Sequence, residues 1–308
     1  MLLKFSDIKS DFKFGIQSDF KLFDIKFEIQ LLALLNFTEA ALFFLVWIAL
    51  GLPILLPLAI ALRWRPGTPI SPSQKIPLLL GLYLLAPAAL WLVGQWSPRL
   101  STRSPFGSYG LTLGEPLWRG IGLGLLVAIA GVGLWLGVQV GLGWSRWQSK
   151  PPSRSAGLSL VAVALLGLAV GLVEELIFRG FLPLVLGFDL GVLAAVAIAN
   201  LLFALLHLVW EGRATVPQLP GLLIMGLVLS GAYWAAGENL GLAWGLHAGW
   251  IMAIASLEIL GAVEPTGAVP AWVTGLDGKP LAGALGLLLL LITAIALAAI
   301  FKNPATYG

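Results

Sequence analysis

The hydrophobic residues of this chain form repeated runs of about 20 residues, separated by short polar connectors. Eight such runs lie at about 39–62, 76–96, 117–143, 157–178, 189–210, 218–236, 240–260 and 281–301. A helix of about 20 apolar residues crosses a bilayer core about 30 Å thick, whereas strands of outer-membrane barrels are alternating segments of about 10 residues. The pattern therefore predicts an all-α fold, a polytopic transmembrane helical bundle of about eight spans.

The composition supports an integral, multi-pass membrane protein. Of the 308 residues 59% are hydrophobic and only 11% are charged, whereas soluble domains carry about a quarter charged residues. Soluble enzymes, nucleic-acid-binding proteins and disordered scaffolds are thereby excluded. The net charge of +3 comes from Lys and Arg scattered through the connectors, where such residues anchor helices at the membrane interface. The chain has no cysteine, which excludes disulfides, thiolate catalysis and Cys-ligated zinc.

The chain divides into four parts. Residues 1–30 form a Phe-, Ile-, Lys- and Asp-rich tail whose apolar positions fit an amphipathic interfacial helix, a strand, or a disordered tail without function. Residues 31–156 hold the N-terminal transmembrane helices, 157–260 a core that is richer in polar residues, and 261–308 a connector and the last transmembrane helix. The Lys and Arg counts do not decide the topology, and the sequence does not indicate which membrane holds the protein.

Ionisable residues inside the apolar spans mark the candidate site. Each costs about 2.5–3.5 kcal/mol at the centre of a membrane helix, so it needs a partner or a function. Glu174, Glu175 and Arg179 close the fourth span, and the two histidines of the chain, His207 and His247, both lie in later spans. We therefore expect these five side chains to converge on one cavity inside the membrane.

Helix geometry separates the two carboxylates. Glu175 and Arg179 are four residues apart and can form an ion pair, whereas Glu174 is rotated by about 100° and points elsewhere. Glu175 is thus predicted to be structural. Glu174 is the chemical candidate, because an unpaired carboxylate can take a proton from water and later return it. The alternative is that both carboxylates only brace neighbouring helices.

The two histidines are interpreted together. A single histidine in a helix bundle is usually a hydrogen-bonding structural residue, but two solitary histidines in a chain with intramembrane glutamates favour a shared site. In the fifth span the spacing places Asn200, Phe203 and His207 on one helix face. Asn200 either supports the site or forms a hydrogen bond between helices.

Three motifs in this order resemble those of a known family. They are Glu174-Glu175-x-x-x-Arg179, Phe203-x-x-x-His207 and His247. Over residues 157–260 they are similar to the CPBP family of intramembrane proteases, the CAAX protease and bacteriocin-processing enzymes, also called Abi proteins. The resemblance implies a helical bundle with an intramembrane catalytic cavity and an endopeptidase activity on a membrane-associated or prenylated-type substrate. It also implies that Glu174 and His207 activate a water and that His247 helps to stabilise the oxyanion.

Two features leave alternatives open. The family commonly has Asn or Asp one turn after its last histidine, yet this chain has Ile251 there, which puts the activity in doubt. We expect no cofactor, but Glu174, His207 and His247 also form a possible two-histidine, one-carboxylate zinc site.

The alternative functions are a catalytically weak membrane scaffold of the same fold and a proton- or ion-coupled transporter. The transporter is disfavoured because the first half of the sequence shows no broken helix to match the charged second half. Membrane lipid and a membrane-associated peptide or protein are the expected partners, and the oligomeric state is undetermined.

Overall fold

The computed structural model describes residues 39–65, 71–97, 100, 104–148 and 156–300, and these are almost entirely helical. The predicted tail at 1–30 lies outside the described residues. The helices are α1 (Glu39–Ala61), α2 (Pro72–Tyr83), α3 (Ala86–Trp96), α4 (Pro105–Ser108), α5 (Glu115–Gly141), α6 (Ala156–Glu175), α7 (Leu182–Leu190), α8 (Val192–Glu211), α9 (Leu219–Ala235), α10 (Gly241–Leu260), α11 (Ala271–Thr274) and α12 (Ala284–Ile300).

Three types of short element connect the helices. A π-helical segment, Leu176–Phe181, joins α6 to α7. A seven-residue 3₁₀ helix lies at Gly212–Gln218, and single 3₁₀ turns lie at Leu276–Gly278 and Pro280–Ala282. The two strands, β1 (Ser145–Trp147) and β2 (Val263–Pro265), pair antiparallel with Arg146 opposite Glu264. This ribbon connects the end of α5 to the end of α10.

The transmembrane prediction is confirmed. Among the described residues, seven helices are long and apolar enough to cross a membrane. The eighth predicted span is α12, an apolar helix of 17 residues, which is at the lower end of the length that can cross the hydrocarbon core. The protein is therefore an all-α, multi-pass integral membrane protein.

The fourth span is longer than the sequence pattern indicates. Instead of ending near residue 178, helical structure runs for 33 residues, Ala156–Phe188, through the π-helical segment. The amide of Leu182 donates to the carbonyl of Ile177, five residues back, and Pro183 has no amide with which to continue the regular pattern. The carboxylates thus lie along a continuous span and not at its end.

The second span is interrupted by one turn, although Ile76–Trp96 remains a single candidate membrane span. Helix α2 ends at Tyr83 and α3 begins at Ala86, with Leu84 and Leu85 forming a turn between them. Pro87 lies in the first turn of α3, where a missing amide is tolerated. The interruption places Tyr83 at a helix end in the middle of an apolar span.

Helices α5 and α10 cross at very close range because glycines line both sides of the contact. The glycines are Gly120, Gly124, Gly241, Gly245 and Gly249. A methyl group on Gly245 would lie only 2.3 Å from the carbonyl oxygen of Ile121, so a larger residue does not fit. Small residues spaced by four let membrane helices approach at the backbone, and here they fix the position of α10 and of His247.

Helix α6 packs on another part of α10. The indole Nε1 of Trp244 donates to the carbonyl of Leu168 at 2.8 Å, and a methyl group on Gly171 would lie 3.3 Å from the amide nitrogen of Ala248. This contact holds the α6 carboxylates against the histidine of α10. Trp244 therefore links two helices, which is the packing role that tryptophan commonly has in membrane proteins.

Candidate active site

Five predicted polar side chains of the site are buried in the protein interior. They are Glu174, Glu175, Arg179, Asn200 and His247. The fourth span supplies the first three, α8 supplies the asparagine and α10 the histidine. Because charged groups are buried only when they are paired, the contacts between them define what the site can do.

Glu175 lies at the centre of the network. Its Oε1 accepts a hydrogen bond from Arg179 Nη1 at 3.0 Å and one from His247 Nδ1 at 2.7 Å. The expected Glu175–Arg179 ion pair is present, and both side chains are fully buried. Glu175 is more than a helix brace, however, because it also orients the imidazole of His247.

The two ring nitrogens of His247 contact one carboxylate each. Nδ1 donates to Glu175, since a carboxylate oxygen accepts, and Nε2 lies 3.5 Å from Oε2 of Glu174. With Nδ1 protonated, Nε2 of a neutral imidazole carries a lone pair, and a lone pair facing a carboxylate would be repelled. Glu174 and Nε2 of His247 therefore face each other as a candidate acid–base pair.

Glu174 is not the unpaired carboxylate that helix geometry predicts. The hydroxyl of Tyr83, at the end of α2, donates a hydrogen bond to its Oε1. Its other oxygen faces His247. The 100° rotation from Glu175 does not send Glu174 away from the site, because the imidazole of His247 reaches both neighbouring carboxylates. Sequence reasoning missed Tyr83, although a hydroxyl in the middle of an apolar span was a usable signal.

Arg179 is held by groups from three elements. Besides the bond to Glu175, its Nη2 donates to the carbonyl of Gly226 in α9 at 3.2 Å. Its Cζ lies 4.5 Å from the centroid of the Phe203 ring, a cation–π contact that gains strength when it is desolvated. The guanidinium is 1% exposed, so its position is fixed by these partners.

Asn200 joins two helices and is fully buried. Its Nδ2 donates to the carbonyl of Val196 at 2.9 Å and to the hydroxyl of Ser230 at 3.1 Å. Both amide hydrogens are thereby used inside the protein. Of the two alternatives for this residue, the geometry favours the hydrogen bond between helices, because no amide hydrogen is left to stabilise an oxyanion.

His207 lies beside the network and is half-buried. Its Nδ1 donates to the carbonyl of Phe203 at 2.8 Å, which leaves Nε2 as the basic nitrogen of the neutral ring. The Phe203 ring contacts both imidazoles, with centroids 4.9 Å from His207 and 5.9 Å from His247. Phe203 therefore separates the two histidines by one aromatic ring.

Within the described ranges, no group of three or more His, Asp and Glu side chains is arranged to hold a metal ion. The alternative zinc site of Glu174, His207 and His247 thus has no three-ligand geometry there. The absence of a cofactor stays a prediction.

Ile251, the position at which the motif departs from the family, faces α6. A methyl group on Gly167 would lie 3.4 Å from its Cγ2. The side chain is half-buried among apolar groups. A hydrogen-bond donor at position 251 would therefore lie in the contact between α6 and α10.

Comparison with known families gave a match to the region that holds these residues. Residues 156–253 match the family model described as Type II CAAX prenyl endopeptidase Rce1-like. This region is CAAX-protease-like. The matched region contains all the predicted site residues and confirms the resemblance to CPBP proteases. It also indicates an activity of the hydrolase class. Comparisons with curated proteins and with solved structures gave no match.

Proposed function

We propose that the protein is an intramembrane endopeptidase that hydrolyses a peptide bond with a water activated by Glu174. The observation that supports it most is the buried contact between Oε2 of Glu174 and Nε2 of His247, at 3.5 Å, inside the region that matches a prenyl endopeptidase family. Glutamate and histidine are suitable general acids and bases when they lie within hydrogen-bond reach of a substrate water.

The reaction follows from the proton positions. Glu174 takes a proton from the water, and the resulting hydroxide adds to the carbonyl carbon of the scissile bond. The protonated His247 donates from Nε2 to the oxyanion, and its Nδ1–H stays on Glu175, whose charge Arg179 balances. The tetrahedral intermediate then collapses, its C–N bond breaks, and Glu174 returns the proton to the leaving amine. The water is thus divided between the two products.

His207 is proposed to position the water. Its Nδ1 is held by the Phe203 carbonyl, so the free Nε2 lone pair can accept from a water or substrate amide. Hydrogen bonds of this kind often tighten only when the substrate binds. Its half-buried ring fits a group that lies where the site opens.

The proposed substrate is a membrane-associated or prenylated-type peptide, since the site lies within apolar spans. Membrane lipid surrounds the bundle and brings such a substrate to it. Whether a prenyl group is needed is part of the test, because peptides with prenyl, acyl or no lipid can be compared directly.

The test is cleavage by the purified full chain in detergent micelles. C-terminal peptides with each of the three lipid states are incubated with the protein, and mass spectrometry measures the released fragments. Glu174→Gln is expected to reduce cleavage at least about 10²-fold. Glu115→Gln is the matched control, because the Glu115 side chain is 75% exposed at the start of α5. Equal cleavage by Glu174→Gln and the control would refute the proposal.

A proton relay is the second candidate, and the interrupted second span favours it. Tyr83, Glu174 and His247 form a continuous polar path from α2 to α10, and interrupted helices often line ion paths in transporters. Proton flux into liposomes that depends on Glu174, with no peptide cleaved, would favour this function. Folded protein with neither activity would favour the scaffold.

A further inference from the structure

The hydroxyl of Tyr83 is the polar group that the first half of the chain brings to Glu174. Tyr83 lies outside residues 156–253, which match the protease family, and 91 positions before its partner. It lies where α2 ends in the interrupted second span. The interruption therefore places a hydrogen-bond donor at membrane depth, beside the proposed catalytic base.

An aromatic wall from α1 holds this helix end in place. Trp47 Nε1 donates to the carbonyl of Leu82 at 2.9 Å, and its ring lies edge-on to Tyr83 with centroids 6.5 Å apart. Trp47 stacks on Phe43 at 5.4 Å, and Phe43 contacts Phe181 of the π-helical segment at 5.1 Å. The helix end that carries Tyr83 is thus linked through these rings to the segment that follows Glu174.

We propose that Tyr83 is a positioning residue of the active site, acting through Glu174. It holds Oε1 by a hydrogen bond, so that Oε2 alone faces His247 and serves as the base. A glutamate carboxylate otherwise rotates over a broad range about its last torsion. This inference rests on the proposed function and extends it to a residue outside the matched region.

The carboxylate geometry gives the physical reason. Oε1 is occupied by the phenol and Oε2 lies 3.5 Å from His247 Nε2, so the two oxygens have different tasks. A misplaced general base loses rate steeply, because proton transfer requires hydrogen-bond reach. Removing the hydroxyl should therefore slow the chemical step and leave substrate binding intact.

The test compares Tyr83→Phe with Tyr109→Phe. Tyr109 is the matched control because it is buried and its hydroxyl donates to the backbone carbonyl of Leu90 at 3.2 Å, not to the site. Tyr83→Phe is expected to lower kcat about 10- to 10²-fold at an unchanged KM. The acidic limb of its pH–rate profile should also move, whereas Tyr109→Phe should keep the wild-type profile. Equal kcat and equal profiles in the two variants would overturn the proposal.

A readout without turnover separates this inference from the proposed function. The infrared difference spectrum between wild type and Glu174→Gln isolates the carboxyl band of Glu174. Tyr83→Phe is expected to shift that band, and Tyr109→Phe is not. An unshifted band refutes the positioning role whether or not a peptide is cleaved, while a shifted band without cleavage by the wild type would count against the protease alone.

Trp47→Phe provides a second variant if Tyr83→Phe fails to fold. It removes the donor to Leu82 and keeps the ring packing, so it should displace the Tyr83 hydroxyl and shift the same band in the same direction. No shift in a folded Trp47→Phe protein would contradict the role of the wall.

Discussion

Replacing Glu175 by Gln tests the network that the site depends on. The substitution keeps the shape of the side chain and removes one charge from a fully buried pair. At the 3.0 Å separation from Arg179, two unit charges attract by about 5.5 kcal/mol at an effective dielectric constant of about 20. Breaking a buried pair on one side costs about 3–5 kcal/mol. We expect a loss of stability in this range.

The same substitution is expected to reduce activity. His247 Nδ1 also bonds Glu175 at 2.7 Å, and a neutral amide oxygen stabilises an imidazolium less well than a carboxylate does. The expected phenotype of Glu175→Gln is therefore a less stable protein with a slow chemical step. A purely structural Glu175 would lose stability alone.

The assay is thermal unfolding of purified variants in one detergent, followed by cleavage per folded protein. Glu174→Gln is the control and should melt near wild type, because it leaves the buried Glu175–Arg179 ion pair intact. The double variant Glu175→Gln/Arg179→Met should recover part of the stability, since no unpaired charge remains. Equal melting temperatures for Glu174→Gln and Glu175→Gln would refute the reasoning.

Three further predictions concern the surrounding helices. Asn200→Ala should cost about 1–3 kcal/mol of stability because it removes the hydrogen bonds to Val196 and Ser230. A 10²-fold loss of kcat at an unchanged melting temperature would instead give Asn200 an oxyanion role. Ile251→Asn should lower the melting temperature without raising kcat, because the amide would face Gly167 of α6; faster turnover would contradict this. Gly226→Ala should destabilise the protein, because the methyl group would lie 2.3 Å from Oδ1 of Asn200. The control Gly231→Ala meets nothing within 4 Å and should be tolerated. Equal melting temperatures for the two variants would contradict this packing.

The spans were predictable because the bilayer imposes a length on each apolar run. The pairing of Glu175 with Arg179 was predictable for a related reason, since a spacing of four residues already places both on one helix face. Local periodicity is enough for both inferences. The glycine spacing that joins α5 to α10 was equally readable from the sequence, as Gly120 and Gly124 against Gly241, Gly245 and Gly249, but it was not used.

The contacts that periodicity does not encode were missed. Tyr83 reaches Glu174 across 91 residues, and its approach depends on how α2 ends and how α1 packs. Glu174 was predicted to be unpaired, and it is not, because Tyr83 and His247 approach its two oxygens from other helices. The continuation of the fourth span through Leu176–Phe181 needs hydrogen bonds five residues apart, which a 3.6-residue pattern does not indicate.

The charges of the network are the reason why we expect the two carboxylates to tolerate substitution differently. Arg179 is 1% exposed, and an arginine side chain keeps its charge. It therefore needs the countercharge of Glu175. Glu174 contacts Tyr83 and Nε2 of His247, so replacing it by Gln leaves no guanidinium unpaired. The site therefore combines the Glu175–Arg179 ion pair, which holds the helices and orients His247 Nδ1, with the Glu174–His247 contact, to which we assign the proposed chemistry. Tyr83 contacts Glu174. Its hydroxyl therefore acts on the carboxylate to which we assign the proposed chemistry, and not on the Glu175–Arg179 pair that holds the helices.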